Sequence, residues 1–276
     1  MKDYKIEFPS NFGSFSSYND KTDPSITNSF ATAAYRFGHS MIQGLIQMMS
    51  TTTFETTDEY LLRDHYFNLN NYLLNGGEGM EQILVGLINQ PAQDMDKFVT
   101  EDVTNFLFPE EGHNFGSDLV ARNIQRGRDH GLPGYNSWRS FCNLKTIDSI
   151  KDKPKEISSK NWNALKNLYK SPEDIDLFTA GLAETPVNDG LTGATFNCIK
   201  AKQFKSLKDG DRFFFTHQNQ AGSFTSGQLK QLRGRQLRDV ICENTGISAT
   251  RDNVFLLDGD MKDCSAINQL EMTLFV

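Results

Sequence analysis

Two histidine-bearing stretches are where this sequence could do chemistry. The first is Ala34-Tyr35-Arg36-Phe37-Gly38-His39. Its surroundings read as one long helix from about Pro24 to about Met49, opened by Asp23 as a cap with Pro24 at the first position. Ile26, Phe30, Ala33, Ala34, Phe37, Met41, Leu45 and Met48 form its main apolar stripe. His39 lies roughly opposite, on a face shared with Tyr35, Ile42 and Ile46, and Arg36 sits one turn earlier, about 60° round. An imidazole among apolar side chains with a guanidinium nearby suits a flat apolar cofactor that carries carboxylates. The imidazole could ligate a haem iron, and the guanidinium could fork onto a propionate. The plainer reading, a satisfied core histidine and a surface arginine, is the commoner one for such residues and stays open on them alone.

The second stretch runs Asn123-Ile124-Gln125-Arg126-Gly127-Arg128-Asp129-His130-Gly131-Leu132-Pro133-Gly134-Tyr135-Asn136. Ser117 or Asp118 caps a helix carrying Leu119, Ile124 and Arg128, and Gly131 to Gly134 breaks it. The arginines suit a helix C-terminus whose dipole favours cations. They also suit a polar network bracing a buried site, in which an asparagine could accept the second N–H of a ligating histidine and fix its tautomer.

These segments sit in a mainly α pattern. Met80, Ile83, Leu84, Leu87 and Ile88 predict a helix ending near Pro91; others are expected at Thr100–Leu107, Ser159–Tyr169, Pro172–Glu184 and Gly227–Ile241. Ser171, Pro172 and Asp174 give the fourth a variant capping box. Minor strands are expected at Arg212–Thr216 and Val254–Leu257, and Asp209-Gly210-Asp211 reads as a tight turn. Residues 1–22 read as irregular, and no repeat or linker divides the chain.

Composition removes several function classes. With 28 basic against 35 acidic residues in 276, the chain carries a formal charge of −7 and no basic excess for nucleic acid. No apolar run approaches the roughly 20 residues of a membrane span, and no secretory leader is visible at the N-terminus. HExxH, GxSxG and Gly-rich phosphate motifs are absent. Cys142, Cys198, Cys242 and Cys264 form no CxxC pair, and by themselves allow three disulfide pairings or four free thiols.

Taken together, the chain resembles the animal haem peroxidase family. The resemblance rests on Tyr18-Asn19-Asp20 to Asp23-Pro24, Ala34 to His39 with Ile42-Gln43, and Asn123 to Asn136 with Trp138-Arg139 and Phe141-Cys142. It continues through Cys198, Gln203-Phe204, Leu207 and Asp209 to Phe213, and ends in Ile241-Cys242-Glu243-Asn244-Thr245-Gly246-Ile247. The Asn123 to Asn136 block is its most specific part.

The resemblance implies a helical peroxidase fold and a haem cofactor, with hydrogen peroxide and a small reductant or halide as partners. It implies that His39 is the proximal iron ligand, that Arg36 contacts a propionate and that Asn123 accepts the histidine's N–H. Arg126 is a weaker candidate for a second propionate contact, and His130 reads as structural. Disulfides Cys142–Cys198 and Cys242–Cys264 are implied too, and with them an oxidising, secreted or extracellular setting.

The family's distal histidine and arginine, its calcium loop and its haem-esterifying carboxylates lie far upstream of the proximal helix. Only 38 residues precede His39, and none match those motifs. The expectation is therefore residues 1–276 as the C-terminal, proximal portion of one catalytic domain. It has no distal half, no catalytic residue for O–O cleavage and little turnover alone. A truncated, non-catalytic, extracellular haem-binding or matrix module is the alternative. Two departures stand out: Arg122, where an aliphatic residue is expected, and the basic Lys200-Ala201-Lys202.

Overall fold

A computed structural model of the chain describes residues 15–188 and 190–276. In chain order its α-helices are α1 (Asn28–Thr32), α2 (Leu74–Gly77), α3 (Gly79–Asn89), α4 (Glu101–Thr104), α5 (Leu119–Asp129), α6 (Tyr135–Phe141), α7 (Ser159–Leu168), α8 (Leu177–Ala183), α9 (Ala194–Gly210), α10 (Ser226–Arg233) and α11 (Leu237–Asn244). Strands β1 (Leu45–Met49) and β2 (Thr56–Leu61) form one antiparallel pair; β3 (Ala249–Arg251) and β4 (Met261–Asp263) form another. The class is mainly α with short strands, as the sequence implies. Residues 1–14 of the expected irregular N-terminus lie outside the described residues.

The chain divides into two compact units. The first comprises Tyr18–Ile42 and Gln93–Phe214; the second is built chiefly from Gln43–Ala92 and Phe215–Val276. The core of the first gathers Phe30, Ala34, Tyr135, Trp162, Ile175, Phe178, Phe196 and Cys198. In the second, Met49, Val85, Ile88, Ile241 and Ile247 pack together. There α3 lies on β1, and a Cβ on Gly86 would fall 1.8 Å from the Gln47 carbonyl oxygen. Only glycine allows that approach.

Polar burial is concentrated in the first unit. The Arg139 guanidinium, 2% exposed, meets Glu156 at 2.9 Å, donates from Nε to the Lys145 carbonyl at 2.7 Å and from Nη1 to the Tyr135 hydroxyl at 2.9 Å. Tyr135 donates to Glu184 Oε1 at 2.6 Å, and the Thr195 backbone and hydroxyl both donate to the same carboxylate. Burial opposes charge on Arg139, yet Tyr135 and Glu156 hold its pKa above the usual value. The network ties α6, the end of α8 and the start of α9 into one body.

Several expected boundaries move. The helix expected over Pro24–Met49 is three pieces. It stops at Ala33 (φ −137°, ψ −69°), rewinds as a 3₁₀ helix over Ala34–Met41, and ends in extended backbone at Ile42. Leu45–Met49 then finds ladder partners in β2, and Ile46 and Met48 turn inward by strand alternation. Pro172–Glu184 is interrupted at Ile175, whose carbonyl accepts the first amide of α6. Gly227–Ile241 breaks near Gly234 and restarts at a capping box formed by Gln236 and Asp239.

Neither expected strand forms. Asp211 and Asn253 accept backbone N–H groups two residues on and turn the chain instead. Helix α9 goes unannounced because Phe196, Cys198, Ile199, Ala201 and Gln203 bury more than one face of it, leaving no single stripe. Helices over Met80–Ile88, Thr100–Leu107 and Ser159–Tyr169 appear as α3, a shorter α4 and α7. Among the described residues no helix is long and apolar enough to cross a membrane.

The disulfides are Cys142–Cys198 and Cys242–Cys264, one in each unit, as the resemblance implies.

Two outcomes test this account of stability. Arg139→Met strands Glu184 and Glu156 without their cation and should cost about 3–5 kcal/mol in urea unfolding, with part recovered by adding Glu184→Gln. Reducing Cys142–Cys198, which spans 56 residues, should cost about 4 kcal/mol, against about 3 kcal/mol for the 22-residue Cys242–Cys264 loop, each read on the corresponding double-serine variant.

Candidate functional site

Arg36 and His39 share a 3₁₀ helix, and that winding is what brings them together. At three residues per turn, positions i and i+3 eclipse, so the two side chains stack on one face instead of diverging by 60°. A 3₁₀ run of eight residues, Ala34–Met41, is long for its kind. It packs on α8 and α9, the helices fixed by the Arg139 network. Ala34 and Ser40 are buried, and Phe37 and Met41 pack against the core of the unit.

Facing this helix is α5. Asp118 caps it, accepting from the amides of Val120 and Ala121. Asn123 is the one fully buried residue of α5, at 0% exposure, and a buried amide needs partners. It finds two. Arg36 Nη1 donates to Asn123 Oδ1 at 3.0 Å, and Asn123 Nδ2 lies 2.8 Å from His39 Nδ1. Arg36 is held further by donation from Nε to the Ala31 carbonyl at 2.8 Å. Three of the four expected residues, Arg36, His39 and Asn123, thus form one hydrogen-bonded group.

Arg126 sits one turn beyond Asn123 on α5 and is exposed. Among the described residues it forms no hydrogen bond to the trio. Its charge nonetheless reaches Arg36, whose pKa is lowered first by burial and then by Arg126. Among the described residues no carboxylate lies within ion-pair distance of either guanidinium. Burial, and then the charge on Arg36, push His39 below the ordinary histidine range, so the ring is neutral at physiological pH, the form that binds a metal.

This donor set fits a haem. A neutral imidazole has Nδ1 engaged, leaving Nε2, and two cations without acid partners stand ready for carboxylates. No cluster of three or more His, Cys, Asp or Glu side chains able to hold a metal occurs among the described residues. A single axial imidazole needs none.

The apolar neighbours differ from expectation. Tyr35, 56% exposed, stacks on Phe30 with centroids 4.4 Å apart, and Phe204 meets both rings edge-on. Ile46 belongs to β1 in the other unit. His130 pairs with the Asn28 side chain at 2.8 Å, while Asn28 Nδ2 donates to the His130 carbonyl. Arg122 turns outward and donates to Ser117 Oγ. Arg128 forks onto Asp176 at 2.9 and 2.7 Å.

Lys200 is one of the basic residues that depart from the family pattern. It lies on α9 with Nζ 4.0 Å from the centre of the Phe37 ring, two residues before His39. Burial draws its pKa down to about 8, and the ring face partly compensates its charge.

Comparison with known proteins gives a consistent picture. The family model for animal haem peroxidase matches residues 1–255. Thyroid peroxidase of Rattus norvegicus is 35% identical over 288 residues, covering 100% of this chain and 31% of that protein. Peroxidase-like protein 3 of Lottia gigantea is 34% identical over 238 residues, covering 86% of this chain and 74% of that protein. Peroxidase A of Dictyostelium discoideum superposes with a TM-score of 0.73 at 31% identity, covering 89% of this chain and 46% of that structure. The chain thus spans about a third of the length of the thyroid peroxidases it matches.

The Lys200 environment gives a pH test. The unfolded lysine keeps its proton to about 10.5, and the folded one releases it near 8. The unfolded state therefore binds more protons in that window, and folding stability gains a contribution that rises with pH across it. Comparing wild type with Lys200→Met by urea unfolding from pH 7 to 10.5 should show the variant ahead below pH 8 and the difference closing above it.

Proposed function

The chain belongs to the animal haem peroxidase family, and on that premise we propose that it forms the proximal side of a haem site in a peroxidase that uses hydrogen peroxide to oxidise a small donor or halide. The observation that carries this reading is the hydrogen-bonded trio of Arg36, Asn123 and His39. In it a half-buried neutral imidazole and a guanidinium without an acid partner meet on one buried amide. When bound, haem supplies a redox-active iron for peroxide reduction and donor oxidation.

The roles of the chain's own residues follow. His39 would hold the haem iron. Asn123 holds Nδ1 and orients the ring. Arg36 occupies the amide oxygen, so it is the amide NH₂, a donor, that meets Nδ1, where the sequence implies an acceptor. Arg36 and, more weakly, Arg126 would hold propionates. No residue of this chain is assigned to peroxide cleavage. The distal base and arginine, and calcium, belong to the remainder of the family domain, of which residues 1–276 are the C-terminal portion. The two disulfides support an oxidising, secreted or extracellular setting. A non-catalytic haem-binding module is the second reading, favoured by peroxidase-like protein 3 of Lottia gigantea, 74% of which this chain covers.

Haem titration of the purified chain should give a Soret shift that His39→Ala removes and Arg36→Ala weakens about tenfold, consistent with loss of one charge-assisted contact. Peroxide-dependent oxidation of a phenolic donor by the loaded chain should remain near the free-haem background. A Soret shift unchanged in His39→Ala overturns the ligand assignment. Turnover far above background that depends on His39 overturns the partition between proximal and distal halves.

A further inference from the structure

A cavity of about 850 Å³ opens within the first unit, and none of Arg36, His39 and Asn123 lines it. That volume suits a small organic molecule. One wall is α9, where Ile199, Lys202, Gln203 and Ser206 recur at helical spacing and the lining runs on to Asp209. From Ile199 to Asp209 the helix rises about 15 Å. A second wall is Trp138 and Phe141 on α6, with Leu132 and Pro133 from the turn before it. The two ends of this trough differ. Towards Asp209 the lining is polar, with Asn19, Thr22 and Ser206, and Lys205 spends its charge on Asp209. Towards Ile199 the lining is aromatic. Trp138 donates from Nε1 to the Pro133 carbonyl at 3.0 Å, which anchors the indole, and the Phe141 ring stands edge-on to it at 5.4 Å and 77°. A third flat ring can stack on one of such a pair and meet the edge of the other.

Two donors at this end are unspent. Lys202 forms no ion pair among the described residues, and its Nζ lies 4.7 Å from the centre of the Phe141 ring. Gln203 beside it is 1% exposed. Its Oε1 accepts from the Thr27 amide and hydroxyl, and its Nε2 donates to the Ser25 carbonyl at 3.1 Å. An amide NH₂ carries two hydrogens, and among the described residues only one of these is engaged. A buried donor left over on a cavity wall calls for an acceptor.

We propose that this cavity binds a small aromatic carboxylate, with its ring against Trp138 and Phe141 and its carboxylate on Lys202 and Gln203. The single unpaired ammonium sets the ligand's charge at one. That ammonium already stands over the Phe141 ring, so the carboxylate sits on the ligand's ring or one carbon from it. An acyl chain would place its carboxylate here and run its tail into the polar end, where Asn19, Thr22 and Asp209 offer it nothing. A polar substituent on the far side of an aromatic ring is accommodated there instead. Lys202 is also one of the residues that depart from the family pattern, and a carboxylate ligand gives that departure a use. The site stands whether or not haem binds at His39.

The test is calorimetric titration of the full chain, without haem, with β-naphthoate, its neutral counterpart β-naphthylmethanol, and decanoate. Wild type should bind β-naphthoate about tenfold more tightly than either of the others. Lys202→Met should remove that advantage over β-naphthylmethanol, whose own affinity stays as it was, and Lys202→Arg should recover most of it. Phe141→Ala, at a position 50% exposed, should weaken both naphthyl ligands. Equal affinity for β-naphthoate in wild type and Lys202→Met overturns the site. Weakening by Arg36→Ala in place of Lys202→Met puts the ligand on the cations of the haem group and overturns it too. Decanoate bound as tightly as β-naphthoate, with the same dependence on Lys202, overturns the aromatic assignment. Absence of β-naphthoate binding at millimolar concentration overturns the whole proposal and leaves the haem reading untouched.

Discussion

A single buried guanidinium organises the unit that carries the site. Arg139 lies on α6 and reaches Glu156 ahead of α7, Tyr135 on its own helix and, through Tyr135, the Glu184 carboxylate at the end of α8. Glu184 in turn accepts from Thr195 at the start of α9. A charge this deeply buried is tolerated only when it is paired and hydrogen-bonded, so these helix ends have little freedom to move apart. The 3₁₀ helix of Arg36 and His39 packs on α8 and α9, and its placement is inherited from that network. The Cys142–Cys198 disulfide ties α9 to the end of α6 across the same region.

On that frame the site itself is small. One buried amide faces one arginine and one histidine, and the electrostatics of the pair are mutually opposed. Arg36 helps keep His39 unprotonated, and Arg126 presses on Arg36. The two guanidinium groups have no acid partner among the described residues, which leaves them free to meet an anion. Such a group suits the carboxylate-bearing cofactor of the proposed function.

Much of this was legible in the residues. Asp118 as a cap, the amphipathic run of α3 and the Asn123 to Asn136 block are local patterns, and local patterns survive folding. The splitting of Pro24–Met49 was not legible. An apolar repeat of three and four also supplies the alternation of a short strand, and only the availability of β2 as a ladder partner decides between them. The break inside Pro172–Glu184 depends on a carbonyl taken by a distant amide. Helix α9 lacks a stripe because it is buried on several sides, which periodicity cannot register.

The sequence by itself determined the cast: a histidine three residues after an arginine, an asparagine in a specific block, four cysteines and a family resemblance that spans the chain. Residue type and spacing are enough for that, because they set which chemistry is possible. Tertiary structure alone decided that the helix under Arg36 and His39 winds with three residues per turn and aims both side chains at one amide. The reason is physical. The 3₁₀ helix packs against α8 and α9, and Leu45–Met49 takes its hydrogen bonds from β2 instead of extending that helix.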